Sequence, residues 1–449
     1  MKRFWLVMLS LGLVLAFSAQ AFAVDVKFSG SFYAAGMYLD KTSLQNTTAV
    51  SGSDNVSTAF YFQRLRVQTD FIVSPGLTLV TRFDAMERAW GAPRSSAITT
   101  LALDSAGTTA ENENIAFDWA YINYKSPIGT FDVGIMNDGS TGTIFGNSLA
   151  PAARIKYSLP IGAFTLNAAI TKSKDYSYTA KYATTKTDLD SDKYGIEGVY
   201  AWKDGKAGIN VNYYRKADKK AESADGYLVK YFLFTPYVIA KIGPVDIQAE
   251  LNWATGTRYY ESDTSTKGDR QLSEITGWID ATATFNPVYF GATVAYVSGD
   301  DPNTTDKYEG GDIDGGRDWN PTLIMFNYYD RGYWVGALSG YNSTTNSGAM
   351  SNAWFGQGRV GVRPIAALDI MASLSYAQAD KKPGTGASAI LNNSYGWEVD
   401  VTGTYKITNN LSYMMGVGYW FVGDYYKGTS NANTLRDNYM LINKLTLTF

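Results

Sequence analysis

Asp437-Asn438-Tyr439-Met440-Leu441-Ile442-Asn443-Lys444-Leu445-Thr446-Leu447-Thr448-Phe449 closes the chain and reads with a period of two. Counting back from Phe449, the odd positions Leu447, Leu445, Leu441 and Tyr439 are apolar, with Asn443 as the one break. Thr448, Thr446 and Lys444 fill the alternate positions, where Ile442 is a second misfit. Alternation of this kind puts one set of side chains on each face of a β-strand. The length suits a strand that crosses a bilayer at a tilt of roughly 45°. A greasy face opposite a polar one fits a wall between lipid and water.

The same texture recurs along the chain. Candidate strands are Val26–Leu39, Phe60–Val73, Leu77–Arg88, Ile115–Lys125, Thr130–Asn137, Ala153–Leu159, Phe164–Lys172, Tyr194–Trp202 and Ala207–Arg215. They continue as Tyr227–Lys241, Val245–Thr255, Leu272–Phe285, Val288–Val297, Ala353–Arg363, Leu368–Ala379, Tyr395–Ile407, Leu411–Val422 and the terminal strand. Short turns alternate with long polar loops, and Pro75, Pro127, Pro160, Pro244, Pro287 and Pro364 fall in the short turns, where no ladder donor is lost. The expected fold is all-β, a transmembrane antiparallel β-barrel of about 18 strands (roughly 16–20) with short periplasmic turns and long extracellular loops. A soluble sandwich or propeller would give no reason for the alternation of loop lengths. Two places fit badly. Pro236 inside Tyr227–Lys241 calls for a bulge or a shorter strand. Asn320–Tyr341 reads either as a further hairpin or, the preferred reading, as a loop that caps or enters the pore.

Composition narrows the function. The 449 residues include neither Cys nor His, and a formal net charge of −3 offers no basic footprint for nucleic acid. Without Cys there is no disulfide, thiolate metal site, covalently attached haem or lipoprotein anchor. Without His the usual general base and the commonest metal ligand are missing. Lys2-Arg3, the apolar run Phe4 to Phe17 and Ala21-Phe22-Ala23 read as a secretory signal peptide over residues 1–23, with the barrel as 24–449; a transmembrane helix is the rival reading of that stretch. No later segment is apolar for long enough to span as a helix. A membrane protein without helices must close its sheet.

Strand parity assigns the faces. The lipid face collects Leu65, Val67 and Phe71, then Phe164, Leu166 and Ile170, Val245, Ile247, Leu251 and Trp253. Later strands add Leu368, Ile370, Leu374, Tyr376, Tyr413, Val417, Tyr419 and Phe421, with Tyr and Trp near strand ends as in interfacial girdles. The opposite parity is charged: Arg64, Arg66 and Asp70, then Arg82, Asp84 and Arg88, then Arg154 and Lys156. Asp246, Glu250, Glu274 and Asp280 follow, then Arg359, Arg363, Glu398 and Asp400. An Arg or Lys facing mid-bilayer lipid costs about 2–4 kcal/mol, so these sixteen residues are expected to line a wet pore. The early basic and middle acidic groups would sit on different arcs and set a transverse field. The alternative is mutual neutralisation in a plugged lumen, which a barrel this wide makes harder to fill.

The terminal strand resembles the C-terminal strand of bacterial outer-membrane barrels, in which a final aromatic residue is read by the barrel-assembly machinery; the resemblance implies that role for Phe449. Gln63-Arg64-Leu65-Arg66-Val67-Gln68-Thr69-Asp70, a Pro-Gly turn and Leu77–Gly91 resemble the early hairpin of Gram-negative porins. Trp119-Ala120-Tyr121-Ile122, its turn, and Phe131-Asp132-Val133-Gly134 do the same. The nearest pattern is that of porin-like and alginate-export-type channels, which implies an 18-stranded barrel with a basic ladder in the lumen. Those relatives often continue Gly-Arg-Gln, whereas Gly134 here is followed by Ile135-Met136-Asn137, which counts against an anionic polysaccharide. Asp138, Gly139 and Phe145 belong to a segment, Asp138–Pro151, in the place of the loop that folds inward in general porins; a plain surface loop is the alternative.

Other sites carry less. The carboxylates of Asp300, Asp301, Asp306, Glu309, Asp312, Asp314 and Asp318 suit Ca²⁺ by chemistry but lack the spacing of a known loop, and read better as a solvated loop bridged to lipopolysaccharide by divalent ions. No catalytic constellation and no cofactor or metal is expected. The expected function is an outer-membrane porin passing small hydrophilic solutes or ions passively, in contact with lipid and lipopolysaccharide and associated as a homo-oligomer such as a trimer. The alternatives are a structural sleeve around a partner such as a multihaem cytochrome, and an adhesin or structural barrel with a blocked pore.

Overall fold

In the computed structural model the described residues are 24–46, 56–91, 115–139, 142–146, 150–176, 189–220, 225–260, 267–313 and 319–449. Residues 1–23 and the acidic positions Asp314 and Asp318 lie outside them. Eighteen long strands form the wall: β1 (Asp25–Leu39), β2 (Thr58–Ser74), β3 (Leu77–Ala89), β4 (Ile115–Ser126), β5 (Gly129–Asn137), β6 (Pro151–Ile161), β7 (Phe164–Lys174), β8 (Ser191–Trp202) and β9 (Gly205–Lys216). Then come β10 (Tyr227–Ile242), β11 (Val245–Tyr260), β12 (Arg270–Phe285), β13 (Val288–Val297), β14 (Ala353–Ile365), β15 (Leu368–Ala379), β16 (Ser394–Lys406), β17 (Leu411–Val422) and β18 (Asn438–Thr448). Each strand is antiparallel to the next, and β1 pairs with both β2 and β18, so the sheet closes without an edge.

The terminal strand makes the seam. Leu39 to Ser31 run opposite Met440 to Thr448, and Gly30 and Phe449 exchange backbone bonds of 2.8 and 3.1 Å. The two faces follow the alternation. Leu441 is 45% exposed on the outer wall and its neighbour Ile442 only 3% inside it. The outer wall carries Phe71, Phe164, Ile170, Leu251, Trp253, Leu374, Val417 and Phe421 in register, a continuous apolar surface that only lipid can satisfy.

Three expectations change. Pro236 causes no slip: β10 keeps one register with β11 from Tyr227↔Tyr260 to Ile242↔Val245. The proline ring points to the lipid side, and next to it Thr235 Oγ1 lies 2.8 Å from Asn252 Oδ1, a side-chain link across the pair. Pro160 and Pro364 fall in the last residues of β6 and β14 rather than in the turns, and a register shift between Val362 and Ile365 absorbs the second. Arg88 leaves the inner face. Met86 takes a positive φ of 54°, the β2–β3 register shifts between Gln63 and Leu65, and Arg88 ends opposite Gln63 on the outer side; Glu87 turns inward to Arg64 at 3.6 Å instead.

Asn320–Tyr341 adds no wall strands. It carries one wide turn (Tyr328–Gly332), one α-helical turn (Tyr333–Val335) and the first arm of a two-residue ladder, Leu338–Ser339 with Thr345–Asn346, all inside the barrel. The main hydrophobic core lies between this segment and the wall. Ile324, Met325, Phe326, Leu338 and Met350 pack on inward Tyr33, Met37, Leu39, Phe355, Trp420, Met440 and Ile442. Ile442 is apolar on the nominally polar face because a packed segment, not water, lies against it.

Candidate functional site

Two segments fold into the lumen. The first runs from the end of β5: Thr143 donates from its backbone N (2.7 Å) and Oγ1 (2.8 Å) to Glu250 Oε2, and Asn252 donates to the other oxygen at 3.0 Å. Trp278 Nε1 bonds Thr143 Oγ1 at 2.9 Å. Phe145, 1% exposed, stacks on Trp278 with ring centres 5.6 Å apart and meets Trp319 edge-on at 5.1 Å. Gly142 is required at the bend, since its φ is +111° and a Cβ would press on Glu250 and Tyr237. So the described part of this segment, residues 142–146, turns inward, and the carboxylate of Glu250 is the post that holds it.

The second segment is held more firmly. Backbone N–H groups of Ile324 and Met325 donate to the two oxygens of Glu398 at 2.5 and 2.7 Å. Arg331 is fully buried, and its guanidinium donates to the carbonyls of Ile324 (3.1 Å), Gly336 (2.9 Å) and Asn346 (3.0 Å) and to the side-chain oxygen of Asn346. Burial pushes its ionisation down to about 10, so it keeps its charge at neutral pH. Asp330 pairs with Lys444 at 2.7 Å, Tyr329 covers Arg64, and Gln357 donates to the carbonyl of Pro321 at 2.6 Å.

The charged residues read from parity face inward except Arg88, but most are engaged. Arg66 forks onto both oxygens of Asp84 (2.6 and 2.7 Å), and Arg82 bonds Asp118 at 2.9 Å while lying 3.5 Å from the centre of the Trp119 ring. Asp70 accepts from Gln68, Arg359 pairs with Asp280 at 2.7 Å, and Arg363 meets Asp369 at 2.8 Å over the Tyr289 ring. Asp246 pairs with Lys241 at 3.4 Å beside the short turn. The expected separation of basic and acidic arcs is therefore undone locally: Asp84, Asp118 and Glu87 neutralise the early arginines, and Arg359 neutralises Asp280. Arg64, Glu250, Glu398 and Asp400 do not line open space, because the inward segments cover them.

The open space follows β4 to β12. A cavity of about 1040 Å³ is lined there by Asp138, Gly139, Arg154, Lys156 and Glu274, all named from sequence, and by Asp132, Lys193, Glu197, Lys206, Asn210, Asn212 and Lys216. Asp138 draws Lys193 to 2.6 Å and Arg154 to 3.2 Å. Glu197 accepts from Asn167 (2.7 Å) and from the hydroxyl of Tyr237 (2.9 Å). Tyr214 and Tyr231 stack at 4.5 Å with Lys216 over both rings, and near the mouth Arg258 lies 3.5 Å over Tyr308. Sequence reading missed the β8–β9 contribution, although Lys193, Glu197, Asn210, Asn212 and Lys216 keep one parity; runs of Tyr and Ala made neither face plainly polar. In the acidic segment, no three carboxylates among the described residues converge as a metal site.

No protein-family model matches the sequence, and no curated protein matches it. Among solved structures, OpdQ of Pseudomonas aeruginosa superposes with a TM-score of 0.51 at 13% identity, covering 95% of this chain and 98% of that one. A doubly substituted OccD1 (OprD) gives a TM-score of 0.50 at 12% identity, covering 96% and 98%. The likeness is one of fold over nearly the whole of each chain.

Proposed function

We propose that the chain is an outer-membrane channel through which small hydrophilic solutes or ions diffuse passively. The observation that carries this reading is the continuous space along β4 to β12, walled by charged and amide side chains while the opposite arc is packed. Water-filled space of this kind conducts, with selectivity set by its width and by the charges on its wall. The structural neighbours, crystal structures of OpdQ and OccD1 (OprD), lend support through fold.

Arg154, Lys156, Lys193, Lys216, Glu197 and Glu274 would meet the solute, and Asp138, Gly139 and Phe145 belong to the segment that narrows the passage. Export by residues 1–23, recognition of Phe449 by the assembly machinery and association as trimers belong to the same reading. The Phe449 ring, 49% exposed on the outer wall, is accessible for the second of these. A sleeve around a partner protein needs an empty lumen. Here the two inward segments touch one another at Phe145 and Trp319, which counts against it.

The test is conductance of the purified barrel in planar bilayers. Stepwise openings from the protein alone support the proposal; silence until a second protein is added would support the sleeve.

A further inference from the structure

Asn443 breaks the apolar outward series of the terminal strand, and the channel makes no use of it. It stands halfway along β18, between Tyr439 near the long-loop end and Phe449 at the other. Leu441 and Leu445 flank it on its own strand, and register sets Met415 of β17 on one side and Gly36 of β1 on the other. A Cβ on Gly36 would come within 2.8 Å of Asn443 Nδ2 and 2.6 Å of the Tyr61 ring, so the glycine leaves the hollow in which the amide lies.

The amide is poorly satisfied where it stands. Its Nδ2 points to the carbonyl of Gly36 at 3.4 Å, longer than an ordinary N–H···O bond, and its Oδ1 meets no donor among the described residues. Two other outward amides show the contrast. Gln63 Oε1 accepts from Trp90 Nε1 at 2.8 Å and Gln378 Oε1 from the Tyr376 hydroxyl at 3.3 Å, and both stand toward the long-loop ends of their strands. At the middle of a bilayer neither water nor headgroups supply a donor, and acyl chains have none. Only another spanning protein can. A carboxamide both donates and accepts, so two copies of Asn443 brought together satisfy each other without a second kind of residue. The wall around it suits that approach: Ala34 and Gly36 let two backbones come close, and Leu441, Leu445, Met415 and Val417 are there to pack about the amides.

We propose that the outer face of β17, β18 and β1 is the contact between copies of this chain in the membrane, with Asn443 hydrogen-bonded to its counterpart in a second copy beside a symmetry axis. The inference rests on the membrane placement of the wall and specifies the surface of the association named in the channel reading. It does not depend on conduction.

Crosslinking and dilution of the full-length barrel in lipid vesicles test it, in a chain that has no native cysteine. Met415→Cys, 60% exposed beside Asn443, should form disulfide-linked pairs on mild oxidation, and Ile209→Cys, 48% exposed on β9 across the barrel, should not. Two reciprocal hydrogen bonds between spanning segments contribute about a tenfold factor, so Asn443→Leu should move the monomer–oligomer midpoint, read by counting labelled barrels as lipid is added, about tenfold toward monomer. Leucine suits a lipid-facing position, so assembly and the conductance of a single barrel should be unchanged in that variant. Parent barrels that stay monomeric at every dilution, an Asn443→Leu midpoint equal to the parent's, or linkage through Ile209→Cys and not through Met415→Cys would each overturn the proposal. So would Met415→Cys linked in native membranes to a different protein in place of a second copy. A barrel that conducts but never associates would remove this contact and leave conduction standing.

Discussion

Arg331 shows what a single side chain does here. Its guanidinium ties three backbone carbonyls and one side-chain amide from three stretches of the inner segment, with no carboxylate in salt-bridge contact among the described residues and no water access. Replacing it by Met leaves several buried acceptors without donors, at a cost of about 1–3 kcal/mol for each one left unsatisfied. That loss falls on the inner segment and not on the wall. Arg331→Met should therefore keep the folded barrel while the inner segment becomes protease-sensitive and conductance rises. Loss of the folded barrel would show that the wall depends on the segment. Glu250 makes the same point for the first inward segment: Glu250→Ala removes the one carboxylate oxygen that accepts both bonds from Thr143 and should widen the passage, measured as larger single-channel steps. Lys216 stands over Tyr214 and Tyr231 in the open arc, so Lys216→Glu should move the reversal potential toward cation selectivity. An unchanged potential would remove Lys216 from the path.

At the scale of the element, the terminal strand offers a matched pair. Leu441 and Ile442 are adjacent and equally greasy, yet one faces lipid and the other the inner segment. Leu441→Lys puts a charge in the bilayer at about 2–4 kcal/mol and should depress assembly into membranes. Ile442→Lys should assemble normally and loosen only the inner segment; equal assembly defects would contradict the register. The pair also explains what could be read from the chain. Alternation in Leu445, Thr446, Leu447 and Thr448 sets the faces because lipid and water are different solvents. It fails at Ile442, and along Tyr33, Ala35, Met37 and Leu39, because there the inward neighbour is another piece of the same chain. Arg88 was misplaced for a different reason: a bulge at Met86 depends on tertiary strain that a two-residue period cannot carry. The inward path of Gly142 and Phe145 was legible only as an option, since its anchors, Glu250 and Trp278, are more than a hundred residues away.

At the scale of the whole molecule, an 18-stranded wall encloses more space than it uses. One arc is filled by a packed core on inward apolar faces, and the other stays open along β4 to β12. The charge pattern follows the same division: arginines beside the packed arc are matched by neighbouring carboxylates, while Lys, Glu and Asn side chains line the open arc, where Asp138 holds Lys193 and Arg154. The most direct measurement uses the absence of native cysteine. Asn212→Cys, on the wall of the open arc, and Ile196→Cys, on the outer wall, are studied one at a time in planar bilayers with a membrane-impermeant thiol reagent. The account predicts that current through Asn212→Cys falls stepwise on modification while Ile196→Cys is unaffected. Block at Ile196→Cys with none at Asn212→Cys, or no current from either protein, would contradict it.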